Sequence, residues 1–241
     1  MSNTIQGLWI GDKLSTMERL SISSFIKNDN EYHLYVYEDI DNLPDGVVIK
    51  DGNEILTEEQ IFAYKSGEGK GSYSAFSNYF RYKLLLERGG WWADTDMVCI
   101  KKIDHKQEHV FATEPYMNIN YITSGMIKAP VGCEIMRDCW SVCQGKDPNK
   151  IAWGEVGPRL IRSAVSSKLS GYSEFIVPYQ QFCPVGFEQW TDFINPNKKL
   201  TFKDNTYCIH MWNEMWRRHS ADKEKKYNKN CLYEALKEKY L

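Results

Sequence analysis

Apolar positions near the start of the chain follow two different periods. Residues 5–10 (IQGLWI) and 32–37 (YHLYVY) are short, nearly continuous apolar runs of the kind that form buried strands. Between them, residues 14–27 place their apolar side chains at a loosely helical spacing. A strand, a helix and a strand in this order indicate an α/β sheet that begins with parallel strands.

The clearest helical pattern covers residues 72–88, where apolar side chains share one stripe, and it ends at Gly89-Gly90. The next segment, residues 91–100 (WWADTDMVCI), predicts a strand that is interrupted by a polar turn. A strong helix therefore leads directly into an aromatic strand that carries two aspartates.

Weaker patterns predict the other elements. Residues 43–56 are expected to be irregular, and Thr57 is the expected N-cap of a short helix over residues 57–66. Further strands are predicted over residues 110–114, 121–128, 174–178 and 206–212, and further helices over residues 133–143 and 154–169. No repeat or low-complexity linker marks a boundary, so we expect a single α/β domain over residues 1–241 with a mixed sheet flanked by helices.

Composition and charge exclude several classes of protein. The chain has 30 basic and 32 acidic residues, a net charge of −2, so it lacks the basic excess that is typical of nucleic-acid binders. No run approaches the ~18 apolar residues of a membrane span, and the start has no signal-peptide pattern. The seven cysteines form no CxxC pair, so we expect reduced core thiols and a cytoplasmic protein.

The end of the chain, residues 216–241, is expected to be a helical tail and is basic. Tyr227, Leu232, Leu236 and Tyr240 lie near helical spacing in this tail. A solvated terminal helix and a peripheral contact with a membrane surface both agree with this pattern.

The Asp94-Thr95-Asp96 segment is the first candidate for chemistry. Two carboxylates at the end of a strand can face one cation, and Mg²⁺ and Mn²⁺ prefer oxygen ligands. The spacing alone is unspecific, because Asp39-Ile40-Asp41 repeats it in a predicted turn. Aspartates beside a Trp-rich strand are costly to bury without a partner, which favours a cation or an arginine next to them.

One interpretation of this segment is a phosphatase. Residues 94–98 match the DxDx[TV] motif that opens haloacid-dehalogenase-type phosphatases, in which the first Asp is the nucleophile. Such enzymes also need a downstream acidic pair to hold Mg²⁺, and no later aspartate has an acidic partner at that spacing. This alternative predicts that the chain releases phosphate from a generic aryl phosphate.

A longer match covers residues 77–96. Its two parts, SNYFRY at residues 77–82 and GGWWADTD at residues 89–96, resemble the sugar-binding region of the DXD glycosyltransferases. The usual form is S-D-x-x-R-y, a short helix and G-G-x-[YW]-x-D-x-D. Weaker likeness extends to LWIG at residues 8–11, to Gly157-Pro158 and to the HMW segment at residues 210–212.

The resemblance implies a GT-A fold, a nucleoside-diphosphate sugar and a divalent metal, Mn²⁺ or Mg²⁺. Asp96 would coordinate the metal, Asp94 would contact the metal or the ribose, and His210 would be the late metal ligand or a phosphate contact. Arg81 would lie near the donor sugar and diphosphate or brace Asp94. An arginine fork suits phosphate because it donates two parallel charge-assisted hydrogen bonds.

The resemblance also implies roles for residues outside the metal site. Trp9 and Ile10 would lie against the nucleotide base, and Trp216 would cover the diphosphate. Asn78 stands where the family usually has an Asp that contacts the donor. Glu155, beside the Gly-Pro loop, is a candidate carboxylate near the donor sugar, although the start of a helix attracts such a residue for electrostatic reasons alone.

Together these residues predict a metal-dependent, retaining glycosyltransferase. The candidate catalytic residues are Asp96, Arg81 and Glu155. The expected donor is a nucleoside-diphosphate sugar, UDP-linked in preference to GDP-linked, and the expected acceptor is a glycan or lipid-linked sugar in surface polysaccharide synthesis. The alternatives are an inactive copy that only binds nucleotide sugar, as the Asn at position 78 suggests, and a toxin-like enzyme that modifies a protein.

Overall fold

The computed structural model describes residues 4–116 and 119–241. Its strands are β1 (Ile5–Leu8), β2 (Tyr32–Val36), β3 (Val48–Asp51), β4 (Gly90–Ala93), β5 (Met97–Cys99), β6 (Val110–Tyr116), β7 (Ile119–Ala129), β8 (Ile176–Val177) and β9 (Cys208–His210). Its α-helices are α1 (Thr16–Lys27), α2 (Ser74–Arg88), α3 (Glu134–Gln144), α4 (Pro158–Ser167), α5 (Leu169–Tyr172), α6 (Asn213–Arg218) and α7 (Leu232–Tyr240).

Seven strands form the central sheet, in the order β3-β2-β1-β4-β7-β6-β8. The first four of these run parallel, whereas β7 is antiparallel to both of its neighbours, β4 and β6. β8 is parallel to β6. This arrangement confirms the predicted α/β class with a mixed central sheet.

Apolar side chains on both faces of the sheet explain why helices cover both of its faces. Trp91 and Trp92 of β4 are neighbours in the chain, point to opposite faces and are both almost completely buried. Trp92 packs in a cluster that includes Phe80 of α2, and Trp91 packs in another that includes Phe25 of α1. The Trp-Trp pair thus anchors the middle of the sheet to both helical layers.

A glycine fixes the turn from α2 into β4. Gly89 has a φ of 64°, in the left-handed region that other residues rarely adopt. A Cβ atom at this position would lie 2.8 Å from the backbone nitrogen of Val131. Gly89 therefore sets the direction of β4, and with it the position of the two aspartates that follow.

A second, two-stranded sheet is formed by β5 and β9. In this antiparallel pair, Met97 lies opposite His210 and Cys99 lies opposite Cys208. Because Asp96 directly precedes β5 and His210 ends β9, the pairing places the second aspartate beside the histidine. All seven cysteines are buried and free of disulfides, as the sequence predicts.

Two segments differ from the expectation. Residues 43–56 contain β3, the edge strand, whose Val48 and Ile49 are 36% and 40% exposed. An edge strand with exposed apolar side chains has no alternating pattern, so periodicity did not predict it. Residues 57–66 contain only a single 3₁₀ turn at Glu58–Gln60, although the expected capping box forms there.

The tail over residues 216–241 forms two helices with irregular chain between them, rather than one helical segment. Leu236 and Tyr240 of α7 are 6% and 2% exposed and pack in a cluster with Leu20 of α1. These apolar side chains belong to the core and are not available to a membrane surface. In the described part of the chain, no helix has the length and apolar character that a membrane crossing needs.

Candidate active site

A cavity of about 620 Å³ opens at the carboxyl ends of β1 and β4. Its walls come from the residues after β1, the Asp-x-Asp segment after β4, one side of α2 and the segment that joins β9 to α6. In α/β folds with open sheets, ligands bind outside the carboxyl ends of the strands. This cavity is therefore the candidate active site.

Arg81 and Trp92 hold the first aspartate in place. The Nη2 atom of Arg81 lies 2.9 Å from Oδ1 of Asp94, and the indole nitrogen of Trp92 donates to the same oxygen at 2.9 Å. Arg81 also donates to the hydroxyl of Ser77 at 2.9 Å and to the carbonyl oxygen of Ser124. The arginine side chain is only 3% exposed, so Asp94 has a fixed orientation.

The segment after β9 holds the second aspartate. Oδ2 of Asp96 accepts a hydrogen bond from the backbone nitrogen of Asn213 at 2.8 Å and lies 3.2 Å from Nε2 of His210. The backbone nitrogen of Met211 donates to the carbonyl oxygen of Asp96 at 2.9 Å. The side chains of Asp96 and His210 are 11% and 9% exposed, which makes this a nearly buried pair.

The three predicted metal ligands come together in the structure. Asp94, Asp96 and His210 each present one ligand atom, and these atoms lie within 4.8 Å of one another. A Cβ atom at Gly125 would lie 3.3 Å from Oδ2 of Asp94 and 3.4 Å from Cε1 of His210, so the glycine leaves space between them. Among the described residues, Nδ1 of His210 has no hydrogen-bond partner. This donor set and its open space fit a divalent cation such as Mn²⁺.

Burial and charge shift the pKa values of all three groups. Burial raises the pKa of Asp94 against the opposing effect of Arg81. Burial also acts to raise the pKa of Asp96, but the charge and hydrogen bond of His210 outweigh it and lower that pKa. At His210, burial acts to lower the pKa, but Asp96 outweighs it and raises the pKa well above its usual value. Without a cation, Asp96 is therefore ionised and His210 protonated near neutral pH.

Mn²⁺ binding at pH 7 is expected to release about one proton, because the cation needs the neutral form of His210. Without a cation, the His210–Asp96 pair stabilises the fold below the unfolded pKa of histidine, about 6.5. This contribution to stability is lost as the pH rises through the raised pKa that His210 has in the folded chain. The affinity for Mn²⁺ should increase over the same interval, since protons compete with the cation.

Calorimetric titration in two buffers of different ionisation enthalpy counts the released protons. His219→Gln changes an exposed histidine and should leave the count unchanged. Equal binding heats in the two buffers would show that His210 loses no proton when the cation binds.

The residues predicted for the donor line the cavity near β1 and α2. Trp9 and Ile10 form the wall after β1, and the indole nitrogen of Trp9 is buried without a hydrogen-bond partner among the described residues. Nδ2 of Asn78 donates to the carbonyl oxygen of Ser74 at 2.8 Å, whereas its Oδ1 atom has no described partner. Asn78 thus retains a free acceptor where the family usually has a carboxylate.

Two predicted site residues do not reach the cavity. Trp216 is fully buried in a cluster with Trp190 and Tyr233, so its predicted contact with the diphosphate is wrong. Glu155 is not among the side chains that line the cavity and pairs with Lys146 at 2.7 Å. The hydrogen bond from Lys146 lowers the pKa of Glu155, so its predicted place beside the donor sugar is also wrong.

Trp212 lies where Trp216 was expected. Its backbone adopts φ 59° and ψ 51°, a left-handed conformation that costs a residue with a side chain about 1–3 kcal/mol. The indole nitrogen donates to the carbonyl oxygen of Val185 at 2.9 Å, and the ring centre lies 3.8 Å from that of His210. This turn directs Trp212 into the cavity.

Substitutions of the two tryptophans are expected to change different properties, nucleotide binding for Trp212 and stability for Trp216. Trp212→Ala should weaken nucleotide binding in the presence of Mn²⁺ by roughly two- to tenfold, because an aromatic contact is lost. Trp216→Phe should leave nucleotide binding intact and reduce the free energy of unfolding by about 1–3 kcal/mol, since it leaves a void and removes a buried hydrogen bond. Nucleotide titration and thermal unfolding of both variants separate these effects, and the reverse pattern would restore Trp216 to the site.

Glu114 of β6 lines the same cavity, and the sequence analysis did not identify it. Burial raises the pKa of Glu114 against the opposing effects of His210 and the Thr123 hydroxyl. The β6–β7 register is irregular between Phe111 and Thr113, just before Glu114. A lone Glu in a strand carries no motif, so the sequence held no signal for it.

Comparisons with known proteins agree with this site. The family described as "Glycosyltransferase sugar-binding region containing DXD motif" matches residues 15–115, and the "Alpha 1,4-glycosyltransferase conserved region" matches residues 134–240. No curated protein matches the chain.

Solved structures with similar folds include "PaToxG Glycosyltransferase", with a TM-score of 0.53, 17% identity and coverage of 72% of each chain. Another is the ligand-free glycosyltransferase domain from the YGT toxin, with a TM-score of 0.50 and 8% identity. That match covers 73% of this chain and 80% of the other. At these identities, the likeness concerns the fold.

The sheet, the cavity and the matched regions together define a glycosyltransferase with a GT-A-like fold. The first matched region contains the Asp-x-Asp segment, and the second contains His210. Both matched regions support a DXD-motif glycosyltransferase.

Proposed function

We propose that this chain transfers a sugar from a nucleoside-diphosphate sugar with retention of the anomeric configuration and with help from Mn²⁺ or Mg²⁺. Asp94, Asp96 and His210 hold the cation in this proposal. The preferred donor is a UDP-sugar, and the acceptor is a glycan or lipid-linked sugar of a surface polysaccharide. Residues 1–241 act as one catalytic domain.

The main support for this proposal is that Asp94, Asp96 and His210 lie close together at one wall of a large cavity. The aspartates belong to the sugar-binding region, and the histidine comes from a distant part of the chain. A bound cation would act as a Lewis acid and neutralise the charge that develops on the leaving diphosphate.

The protein's own side chains would position the donor. Arg81 fixes the carboxylate of Asp94 and adds positive charge close to the diphosphate. Trp9 offers an aromatic wall for the base, and Asn78 lines the same cavity with a buried amide oxygen that has no partner among the described residues. Trp212 covers His210 and limits the access of water to this part of the cavity.

Thermal unfolding with UDP, GDP, CMP and ADP, each with and without Mn²⁺, tests the donor and the metal together. UDP with Mn²⁺ is expected to raise the melting temperature by roughly 5–10 °C at a ligand concentration of about 100 times Kd. UDP alone should give a much smaller shift, because the diphosphate then faces the two carboxylates without a cation. The absence of any shift at millimolar ligand would overturn the proposal.

Assays of UDP release and of product labelling, added to this measurement, distinguish the alternatives that the sequence left open. An inactive copy would show the shift with UDP and Mn²⁺ but would release no UDP from a donor, even with acceptor extracts. A protein-modifying enzyme would show the shift and label a polypeptide. The second alternative gains some support from the fold, since one of the similar structures is described as a toxin domain.

The proposed cellular setting is the cytoplasm, at the inner face of the membrane if the acceptor is lipid-linked. The remaining support for membrane contact is the charge of residues 217–241, because the apolar side chains of α7 are used in the core. Such a contact would be electrostatic and would weaken as salt is added.

A further inference from the structure

We propose that the acceptor is a carbohydrate that binds between Glu114 and an aromatic row formed by Tyr116, Tyr121, Phe187 and Trp212. This inference rests on the proposed function, because it assigns the second substrate of the same cavity. It names a binding surface and a chemical class of acceptor.

The order of strands separates the two substrates. Along the sheet, β1 carries Trp9 at its end, β4 leads to the two aspartates, β7 comes next and β6 carries Glu114. A donor with its base at Trp9 and its diphosphate at Asp96 would place its sugar toward β7. The part of the cavity at Glu114 is then left for the group that receives the sugar.

The β6–β7 pair extends this end of the cavity outward. Glu114 and Tyr116 lie two residues apart on β6, so they share one face of the strand. Tyr121 of β7 is the cross-strand partner of Glu114 and lies on the same face. One face of the β6–β7 pair therefore carries Glu114 in the cavity and Tyr116 and Tyr121 farther out.

The four aromatic rings form an unbroken row that ends at the candidate metal site. The ring centres of Tyr121 and Tyr116 are 5.6 Å apart, those of Tyr116 and Phe187 are 6.0 Å apart, and those of Phe187 and Trp212 are 6.1 Å apart. All four side chains are partly exposed. The guanidinium of Arg162 lies 3.9 Å from the centre of the Tyr121 ring and supports the outer end.

This combination of groups suits a sugar. A pyranose ring has an apolar face of C–H bonds, which packs on aromatic surfaces, and a rim of hydroxyls, which needs acceptors. The aromatic row provides the surface, and Glu114 provides two carboxylate oxygens at its inner end. Rings that pack on one another are already fixed in position, which lowers the entropy that an acceptor loses on binding.

A printed oligosaccharide array tests this inference with the full chain, UDP and Mn²⁺, or with whichever nucleotide shifts the melting temperature. We expect the wild type to bind a defined set of oligosaccharides. Tyr116→Ala, Phe187→Ala and Glu114→Gln should each weaken that binding at least about tenfold. Tyr179→Ala and Glu174→Gln, which change residues outside the cavity lining, should bind as the wild type does.

The nucleotide-induced thermal shift separates the two possible failures. If the wild-type chain showed no such shift, the proposed function itself would be contradicted. A chain that shows the shift but binds no oligosaccharide, or that transfers sugar to a polypeptide, would overturn the carbohydrate acceptor and leave the proposed use of a nucleotide-sugar donor intact. Unchanged glycan binding by the Tyr116, Phe187 and Glu114 variants would overturn the location.

Discussion

Replacement of Asp96 by Asn is expected to abolish sugar transfer, with kcat falling at least about a thousandfold. The substitution removes the charge that a cation needs but keeps the shape of the side chain. The amide oxygen can still accept the hydrogen bond from the backbone nitrogen of Asn213, so the local fold should persist. The rate of nucleoside diphosphate release in saturating Mn²⁺ and donor measures the loss, and thermal unfolding checks the fold.

The chain provides a matched control for this substitution. Asp41 ends the second Asp-x-Asp sequence, at residues 39–41, where both aspartates are exposed and outside the cavity lining. Asp41→Asn makes the same chemical change in the same spacing and should leave the rate unchanged. If Asp96→Asn kept more than about a tenth of the wild-type rate, Asp96 could not be a ligand on which transfer depends.

Arg81→Ala is expected to reduce the free energy of unfolding by about 3–5 kcal/mol, because it leaves a largely buried carboxylate without its cation. The substitution breaks the ion pair with Asp94 and the hydrogen bonds to Ser77 and Ser124. For a chain of this length, the melting temperature should fall by roughly 6–20 °C. Differential scanning calorimetry measures this fall.

Arg88 offers the comparison on the same helix. Its side chain is 54% exposed and lies 3.5 Å from Glu54, so Arg88→Ala should change the stability by less than about 0.5 kcal/mol. Adding Asp94→Asn to Arg81→Ala should restore part of the lost stability, because the unpaired charge is then removed. Similar melting temperatures for the two arginine variants would mean that Arg81 does not brace the site.

The local part of the site was predictable because its residues share one short segment. Residues 77–96 contain a helix, a glycine turn and a strand, and these elements bring Arg81 and Asp94 together. The start of the central sheet was predictable for a related reason, since β1 and β2 lie in short, nearly continuous apolar runs. β3 was missed because an exposed edge strand lacks that pattern.

The errors have a different origin, because they depend on backbone geometry that spacing does not specify. Trp212 and Trp216 lie four residues apart, and the left-handed turn at Trp212 decides which ring enters the cavity. Glu155 was assigned by its nearness to the Gly-Pro loop, but Lys146 holds it elsewhere. Glu114 reaches the cavity from a strand with no motif.

The pairing of Met97 with His210 has a consequence for the synthesis of the chain. Both aspartates leave the ribosome long before β9 does, so the growing polypeptide carries two of the three candidate ligands while residues 97–207 are still being added. The strands before β5 can assemble during this time, since domains fold as their residues emerge. A chain that stops before residue 208 would lack the third candidate ligand, His210, and the Trp212 ring beside it. Incomplete products would therefore not consume nucleotide sugar in the cell.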